Sequence, residues 1–182
     1  LPISANESTI HMLDLATGET TQLNAEAQGP IAYGDVQFAA DGAGVYYTSD
    51  ENAEFQRLRY MDLKHGVSTT LVEDVPWDVE GFELSDDGAT LVFAVNAGGK
   101  SDLYRMNTET LERTLIELPT GIVRGVEFHP DGDKIAFSLS TPTAPTEVYT
   151  YDLADEALTR WTYSETGGLP PETFVGAEIV KY

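Results

Sequence analysis

The sequence lacks cysteine altogether in its 182 residues. Disulfides, thiolate catalysis, zinc ribbons and iron–sulfur clusters are therefore excluded for this chain. Basic residues are also few, since 10 lysines and arginines stand against 31 aspartates and glutamates and the formal net charge is -21. Such a surface repels phosphate backbones and anionic membranes, so we expect no nucleic-acid partner. The acidity indicates either simple solubility or adaptation to a salty milieu, and solubility is the interpretation that needs the least.

Long hydrophobic runs are missing as well. No stretch of about 18 apolar residues occurs, so the sequence predicts no membrane-spanning segment. No charged-then-apolar leader opens the chain, which begins with Leu1, and we expect a processed product or an excised piece. Nothing in the composition selects a cellular compartment. The 41% apolar content is that of an ordinary globular domain.

What the sequence does contain is a repeat of about 45 residues. Three Asp-Gly pairs recur between apolar alternating runs, with their glycines 46 and 44 residues apart. Asp-Gly in this setting predicts a tight hairpin turn, because glycine supplies the positive φ that the turn requires. The pairs end at Gly42, Gly88 and Gly132.

A second block follows each hairpin in register. Its anchor is an aspartate or asparagine, with a threonine seven residues later and a large apolar residue nine residues later. An earlier copy carries the same block without a preceding hairpin. The anchors are Asp14, Asp62, Asn107 and Asp152.

Four copies in one register predict an all-β fold, a β-propeller of about four blades, each a four-stranded antiparallel sheet. We place the outer strands of a first blade at 1–30 and full blades at 31–75, 76–120 and 121–165. Residues 108–113 resemble a helix start, but the repeat predicts a turn there. One more strand is expected within 173–180.

A twisted four-stranded sheet has two apolar faces that only neighbouring sheets can cover. We therefore expect this chain to form part of a larger ring. Its open sheet edges also predict self-association as an alternative way of covering them.

The repeat resembles the PD40/WD40-like propeller repeats of TolB-type proteins and of prolyl oligopeptidase-family serine peptidases. Three stretches are similar to the dipeptidyl- and acylaminoacyl-peptidase-like members of that peptidase family: 47–58 (YTSDENAEFQRL), 77–82 (WDVEGF) and the pair 161–169 (WTYSETGGL) with 174–182 (FVGAEIVKY). The resemblance covers essentially the whole chain.

This resemblance implies a seven- or eight-bladed propeller that caps an α/β-hydrolase domain and admits short peptides to a serine nucleophile, and of which this chain is a part. It makes 166–182 an exit segment toward that domain. The sequence departs from the family in lacking the catalytic motif, because no serine lies in the Gly-x-Ser-x-Gly frame of a nucleophile elbow. We therefore predict no catalytic residue in this chain, with its partners being short peptides and the parent's own hydrolase domain.

Four residues that precede predicted inner strands are candidate substrate contacts, since such strands line a propeller channel and the loops that enter them lie at its mouth. A tryptophan beside carboxylates suits a peptide side chain and its amine, whereas packing between blades is the alternative for that ring. The candidates are Trp77, Asp78, Glu80 and Arg124.

Other polar features predict structure rather than chemistry. The three histidines occupy different blade positions, so they indicate neither a metal triad nor a catalytic base. The acidic run at 50–54 lacks the spacing of a calcium loop and predicts a solvated turn. We therefore predict no metal and no cofactor. Two further functions stay open: a TolB-like protein-binding module of the cell envelope, and a propeller enzyme such as a metal-dependent sugar lyase.

Overall fold

The computed structural model describes residues 1–24, 29–170, 173–178 and 180. Across these residues the regular structure consists of sixteen strands and no α-helix. The strands pair antiparallel with their sequence neighbours, which confirms the all-β prediction and its sheets of four. In the described part of the chain, no helix has the length and apolar character to cross a membrane.

The chain divides into two compact units, Leu1–Gly81 and Phe82–Tyr182. The first unit contains two short hairpins followed by a sheet of order β5-β6-β7-β8. Its strands are β1 (Pro2–Ser4), β2 (Glu7–Ser8), β3 (His11–Leu13), β4 (Thr20–Gln22), β5 (Tyr33–Phe38), β6 (Gly44–Ser49), β7 (Arg57–Asp62) and β8 (Val67–Thr70).

The remaining strands form two sheets, of order β12-β11-β10-β9 and β13-β14-β15-β16. The first of these strands begins in the first unit and ends in the second. They are β9 (Val79–Leu84), β10 (Thr90–Asn96), β11 (Ser101–Asn107), β12 (Arg113–Ile116), β13 (Ile122–Phe128), β14 (Lys134–Thr141), β15 (Ala144–Asp152) and β16 (Ala157–Arg160).

The predicted Asp-Gly turns join the first two strands of each full sheet. Gly42, Gly88 and Gly132 have φ values of 70°, 73° and 75°, in the left-handed region that glycine adopts without strain. In each turn the glycine N–H donates to the carbonyl three residues earlier at 2.8 Å. The local sequence therefore sets where each first strand turns into the second.

The anchor residues form a second recurring turn, between the third and fourth strands. Asn107 Oδ1 accepts the backbone N–H groups of Glu109 and Thr110 at 3.0 and 2.8 Å. Asp14 and Asp152 each accept two N–H groups in the same way, and Asp62 accepts that of His65. The turn at 108–110 confirms that no helix begins at 108. The anchors recur because this side-chain acceptor replaces a missing backbone bond.

A third recurring contact joins a residue at or shortly before the start of β3, β7 or β11 to the chain that enters the next sheet. Ser8 donates its N–H to Ile31 O, Gln56 O accepts the Val79 N–H, and the Ser101 N–H donates to Gly121 O, all within 2.8–3.0 Å. Ser8, Gln56 and Ser101 each stand six residues before an anchor. The repeat length therefore matches one sheet plus its link to the next.

Each unit has its own apolar core. In the second unit, side chains of β10–β12 pack against those of β13–β15, and Val92, Ile135 and Phe137 are at most 2% exposed. In the first unit, Ile10 joins Val45, Tyr47 and Met61. The second strands β6 and β10 are buried on both faces, whereas on β14 buried residues alternate with half-buried ones.

Three details differ from the sequence patterns. The first copy carries the extra hairpin β1–β2. On β5, Val36 and Phe38 are 45% and 56% exposed, although their alternation predicts one buried face. The sequence predicts a strand within 173–180, but residues 173–178 form none and pair with no other strand of the described chain. Residue 179 lies outside the described residues.

Candidate functional site

The end of β6, the start of β7 and the end of β8 lie side by side at one end of the four-stranded sheet of the first unit. β6 ends at Ser49, and antiparallel pairing places that residue opposite Arg57, where β7 starts. Thr70, at the end of β8, pairs with Arg59 near the same end. The 50–56 loop and the 71–78 connection therefore lie together, and the candidate residues Trp77 and Asp78 lie with them.

The centre of this region is an aromatic pair. The rings of Phe55 and Trp77 lie 6.4 Å apart at 51°. The Arg57 guanidinium lies 5.5 Å from the centre of the Phe55 ring and donates to Val75 O. Phe55 thus already has a cation on its ring, so Trp77, which is half-buried, is the aromatic surface of this pair that a ligand would use.

The backbone around the tryptophan is held by its neighbour. Asp78 Oδ1 accepts the Gln56 N–H at 2.8 Å, and Gln56 O accepts the Val79 N–H at 3.0 Å. The Gln56 amide nitrogen donates to Ala32 O at 3.3 Å. These bonds join residues more than 20 positions apart and fix the place of Trp77 before any ligand binds.

Acidic residues flank Phe55 and Trp77 in the sequence and add negative charge to this end of the sheet. Glu54, Asp78 and Glu80 are exposed. We call Glu54, Phe55, Trp77, Asp78 and Glu80 the aromatic–acidic cluster. An aromatic ring beside several carboxylates is chemically suited to a cation, such as an amine.

Behind the acidic loop lies a buried arginine. Arg59 is 8% exposed; it donates to Glu51 O, and its Nη1 lies 3.7 Å from the Glu51 carboxylate. Asp50 Oδ1 accepts the Ala32 N–H at 2.8 Å. Two of the acids in the predicted solvated turn therefore hold the loop in place.

The tyrosines beside this arginine are structural. Tyr47 is fully buried, its hydroxyl lies 2.5 Å from Ser68 Oγ, and its ring centre is 5.9 Å from that of Tyr33. Burial raises the pKa of both phenols above the ordinary tyrosine value, so both stay neutral at physiological pH.

Arg124 lies in the second unit, on β13, and is exposed. Its backbone carbonyl accepts the Ser138 hydroxyl at 3.0 Å, and the strand bulges directly after it at Gly125, whose φ is 62°. The bulge turns this part of the strand out of regular register.

The histidines lie in polar turns or on an exposed strand. His65 Nδ1 is 3.0 Å from Asp62 Oδ1, His129 Nδ1 is 3.4 Å from Asp131 Oδ2, and His11 Nε2 is 3.0 Å from Thr9 Oγ1. Among the described residues, no three His, Asp or Glu side chains are grouped so that they could hold a metal ion.

Sequence reasoning missed Phe55 as a member of the cluster, and Gln56 and Arg57 as residues that contact its members. Gln56 carried a usable signal, because it shares its repeat position with Ser8 and Ser101 and all three bond to the next sheet's entry. Phe55 carried none, since its contact with Trp77 spans 22 residues.

The fold is that of a β-propeller, and solved propeller structures match it over most of its length. TolB from Acinetobacter baumannii aligns with a TM-score of 0.70 at 18% identity, over 85% of this chain and 37% of its own. A prolyl endopeptidase structure gives 0.74 at 16% identity, over 92% and 24%. An oligogalacturonate lyase in complex with manganese gives 0.62 at 18% identity, over 84% and 46%.

The prolyl endopeptidase and TolB matches confirm the propeller fold that the resemblance implied. The chain spans less than half the length of each of the three structures. No protein-family model matches the chain. Matching solved chains number 441, so the fold alone does not choose among functions.

Proposed function

We propose that this chain is the propeller portion of a serine peptidase that acts on short peptides, and that it admits substrate rather than cleaving it. The observation that carries the proposal is the match to prolyl endopeptidase over 92% of this chain. The absence of a Gly-x-Ser-x-Gly frame from these 182 residues supports the division of labour, because the nucleophile must then lie elsewhere. The mechanism is size exclusion by a rigid channel that flexible peptides pass and folded proteins do not.

The aromatic–acidic cluster is the part of the chain best suited to contact such a substrate. The α-amine of a short peptide is a cation, and Trp77 offers it a ring face while Asp78 and Glu80 offer opposite charge. The hydrogen bond from the Gln56 N–H holds Asp78 in position, so little ordering is needed on binding. Arg124 is proposed as a further contact on the second unit.

Binding of short peptides tests the cluster. A tripeptide with a free amine and its N-acetylated form are titrated by calorimetry into the chain and its variants. We expect Trp77→Ala to weaken binding of the free-amine peptide by about 3- to 30-fold, the worth of one cation–π contact. Trp161→Ala is the matched control, because that tryptophan is 64% exposed and lies in the other unit.

Asp78→Asn separates charge from structure in the same assay. An asparagine side chain still accepts the Gln56 N–H through its amide oxygen but carries no charge. We expect weaker amine binding with unchanged thermal stability. Equal affinity of the free and acetylated peptides for the unmodified chain would contradict the amine role.

The coding sequence that follows residue 182 tests the peptidase assignment. An open frame with a Gly-x-Ser-x-Gly motif supports it, whereas a stop codon at that point favours the second candidate. We also expect the 182-residue chain alone to leave aminoacyl and peptidyl chromogenic substrates unhydrolysed. Turnover that is sensitive to serine reagents and copurifies with this chain would contradict the proposal.

The second candidate is a TolB-like protein-binding module of the cell envelope. The TolB match favours it, with a TM-score of 0.70 over 85% of this chain. Metal analysis separates both candidates from a propeller lyase, since a stoichiometric transition metal in the purified chain would favour the lyase.

A further inference from the structure

The second unit contains a cavity of about 670 Å³ that lies apart from the residues discussed so far. Its walls come from the segment before β13, the turn between β14 and β15, the residues after β16 and residues 176–177. Its volume lies within the range of about 300–1,000 Å³ that holds small ligands.

The lining of this cavity departs from the composition of the chain. None of its thirteen residues is acidic, although acids make up 31 of the 182 residues. Three prolines stiffen the walls, five serine and threonine hydroxyls supply hydrogen-bonding groups, and among the described residues Arg160 is the one charged residue of the lining. The part of the lining that the structure describes therefore offers an anion a cation and no carboxylate.

Arg160 is held in place before any ligand arrives. Its Nε donates to Thr162 O at 2.8 Å, its Nη2 donates to Glu147 Oε1 at 2.9 Å, and its guanidinium lies 4.5 Å from the centre of the Tyr163 ring. These two hydrogen bonds use two of the five N–H donors of a guanidinium. The side chain is 32% exposed, so the group is oriented but still accessible.

Glu147 provides that orientation from behind the cavity wall. Its side chain is fully buried and is not part of the lining. It also accepts hydrogen bonds from the Thr162 hydroxyl and the Ser164 N–H. Because Glu147 balances the charge of Arg160, attraction for an anion rests on directed N–H and O–H donors rather than on net charge.

We propose that this cavity binds a carboxylate group of a small ligand, with Arg160 as the principal donor and the hydroxyls of Ser164 and Thr143 beside it. A short peptide with a free C-terminus and a sugar acid both present that group. The site lies within the second unit and is independent of the amine contact proposed for Trp77, so either one can fail alone.

Three probes distinguish the sources of the carboxylate. Acetyl-alanyl-alanine, its C-terminal amide and digalacturonate are titrated separately into the 182-residue chain by calorimetry. We expect the peptide acid to bind at least about tenfold more tightly than its amide, the value of one charge-assisted hydrogen bond. Saturable binding of digalacturonate in place of the peptide acid supports the carboxylate and assigns it to a sugar acid.

Variants test whether the carboxylate probe binds in this cavity. Arg160→Lys retains a positive partner for Glu147 but loses the planar fork, and we expect about a tenfold loss of affinity. Ala177→Phe narrows the cavity without touching Arg160, so it tests the site even where the arginine variant is unstable. Val175→Phe is its matched control, because residue 175 is 84% exposed and does not line the cavity.

The affinities of the probes for the chain and its variants decide whether the cavity is a carboxylate site. Binding of the acid that falls in Arg160→Lys and Ala177→Phe and persists in Val175→Phe supports the site. Equal binding of acid and amide, the absence of saturable binding by any probe, or equal loss in both phenylalanine variants overturns it.

Discussion

Glu147 and Arg160 form an ion pair, 2.9 Å between Oε1 and Nη2, in which the carboxylate is completely buried and the guanidinium is one-third exposed. The hydrogen bond from Thr162, together with those from Ser164 and Arg160, lowers the pKa of Glu147 from 4.5 to about 2. The same carboxylate thus holds residues 160–164, the stretch of chain that leaves the last sheet.

This lowered pKa predicts how acid affects folding. A carboxyl group whose pKa is lower in the folded state stabilises the fold above its unfolded value of 4.5 and loses that contribution as pH falls toward about 2. Glu147→Gln abolishes the titration, so we expect the variant to lose less stability than the unmodified chain between pH 4.5 and 2. Urea unfolding at both pH values measures the difference.

Glu112→Gln is the control, since Glu112 is exposed in the turn between β11 and β12. Other carboxylates titrate in the same window, among them Asp14 and Asp152, whose pKa values backbone hydrogen bonds also lower. The comparison is therefore between variant and parent. An identical acid response in Glu147→Gln and the parent would refute the assignment.

Asn107→Ala tests the anchor turn. The substitution removes the acceptor of the Glu109 and Thr110 N–H groups, and we expect a loss of about 1 kcal/mol in the free energy of unfolding. Glu109→Ala leaves that acceptor intact and should stay within about 0.5 kcal/mol of the parent. Equal effects of the two substitutions in chemical denaturation would show that the anchor has another role.

Phe137→Ala tests the core that the two sheets of the second unit share. Phe137 is 2% exposed, and its ring stacks on Tyr149 at 6.2 Å. Truncation leaves a cavity and should cost about 3–5 kcal/mol. Phe38→Ala is the control, because Phe38 is 56% exposed. Similar shifts of the urea midpoint for both phenylalanines would contradict the burial pattern.

Gly132→Ala tests the hairpin backbone. Its φ is 75° and nothing lies within 4 Å of an added Cβ, so the penalty is conformational alone. We expect about 1–2 kcal/mol for an L-residue in the left-handed region. Gly176→Ala also meets open space but lies outside that region, and thermal unfolding should scarcely change. A silent Gly132→Ala would argue for a different turn.

The sequence predicted the features that depend on neighbouring residues. Each Asp-Gly turn and each anchor turn is closed by hydrogen bonds within a few positions, as at Gly132 and Asn107. Such motifs can be recognised in the sequence because their residues are close neighbours in the chain. Four copies in one register made the propeller predictable.

The candidate site was predictable only in part. Trp77 and Asp78 stood out by composition, but their partners Phe55 and Gln56 lie 22 residues earlier. No short-range pattern links them, because the contact exists only after the strands have paired. The cavity proposed to bind a ligand carboxylate could not be predicted from the sequence either, since its walls combine residues from 119 to 177.

By itself, the amino-acid order determined an all-β repeat and the position of its turns, because those depend on backbone preferences and side-chain acceptors a few bonds away. Folding in three dimensions decided that Glu147 is buried while Phe38 is not, and that Arg160 faces a cavity whose described lining carries no acid. Burial and electrostatic environment arise from chain segments brought together across long separations, and only their packing defines them.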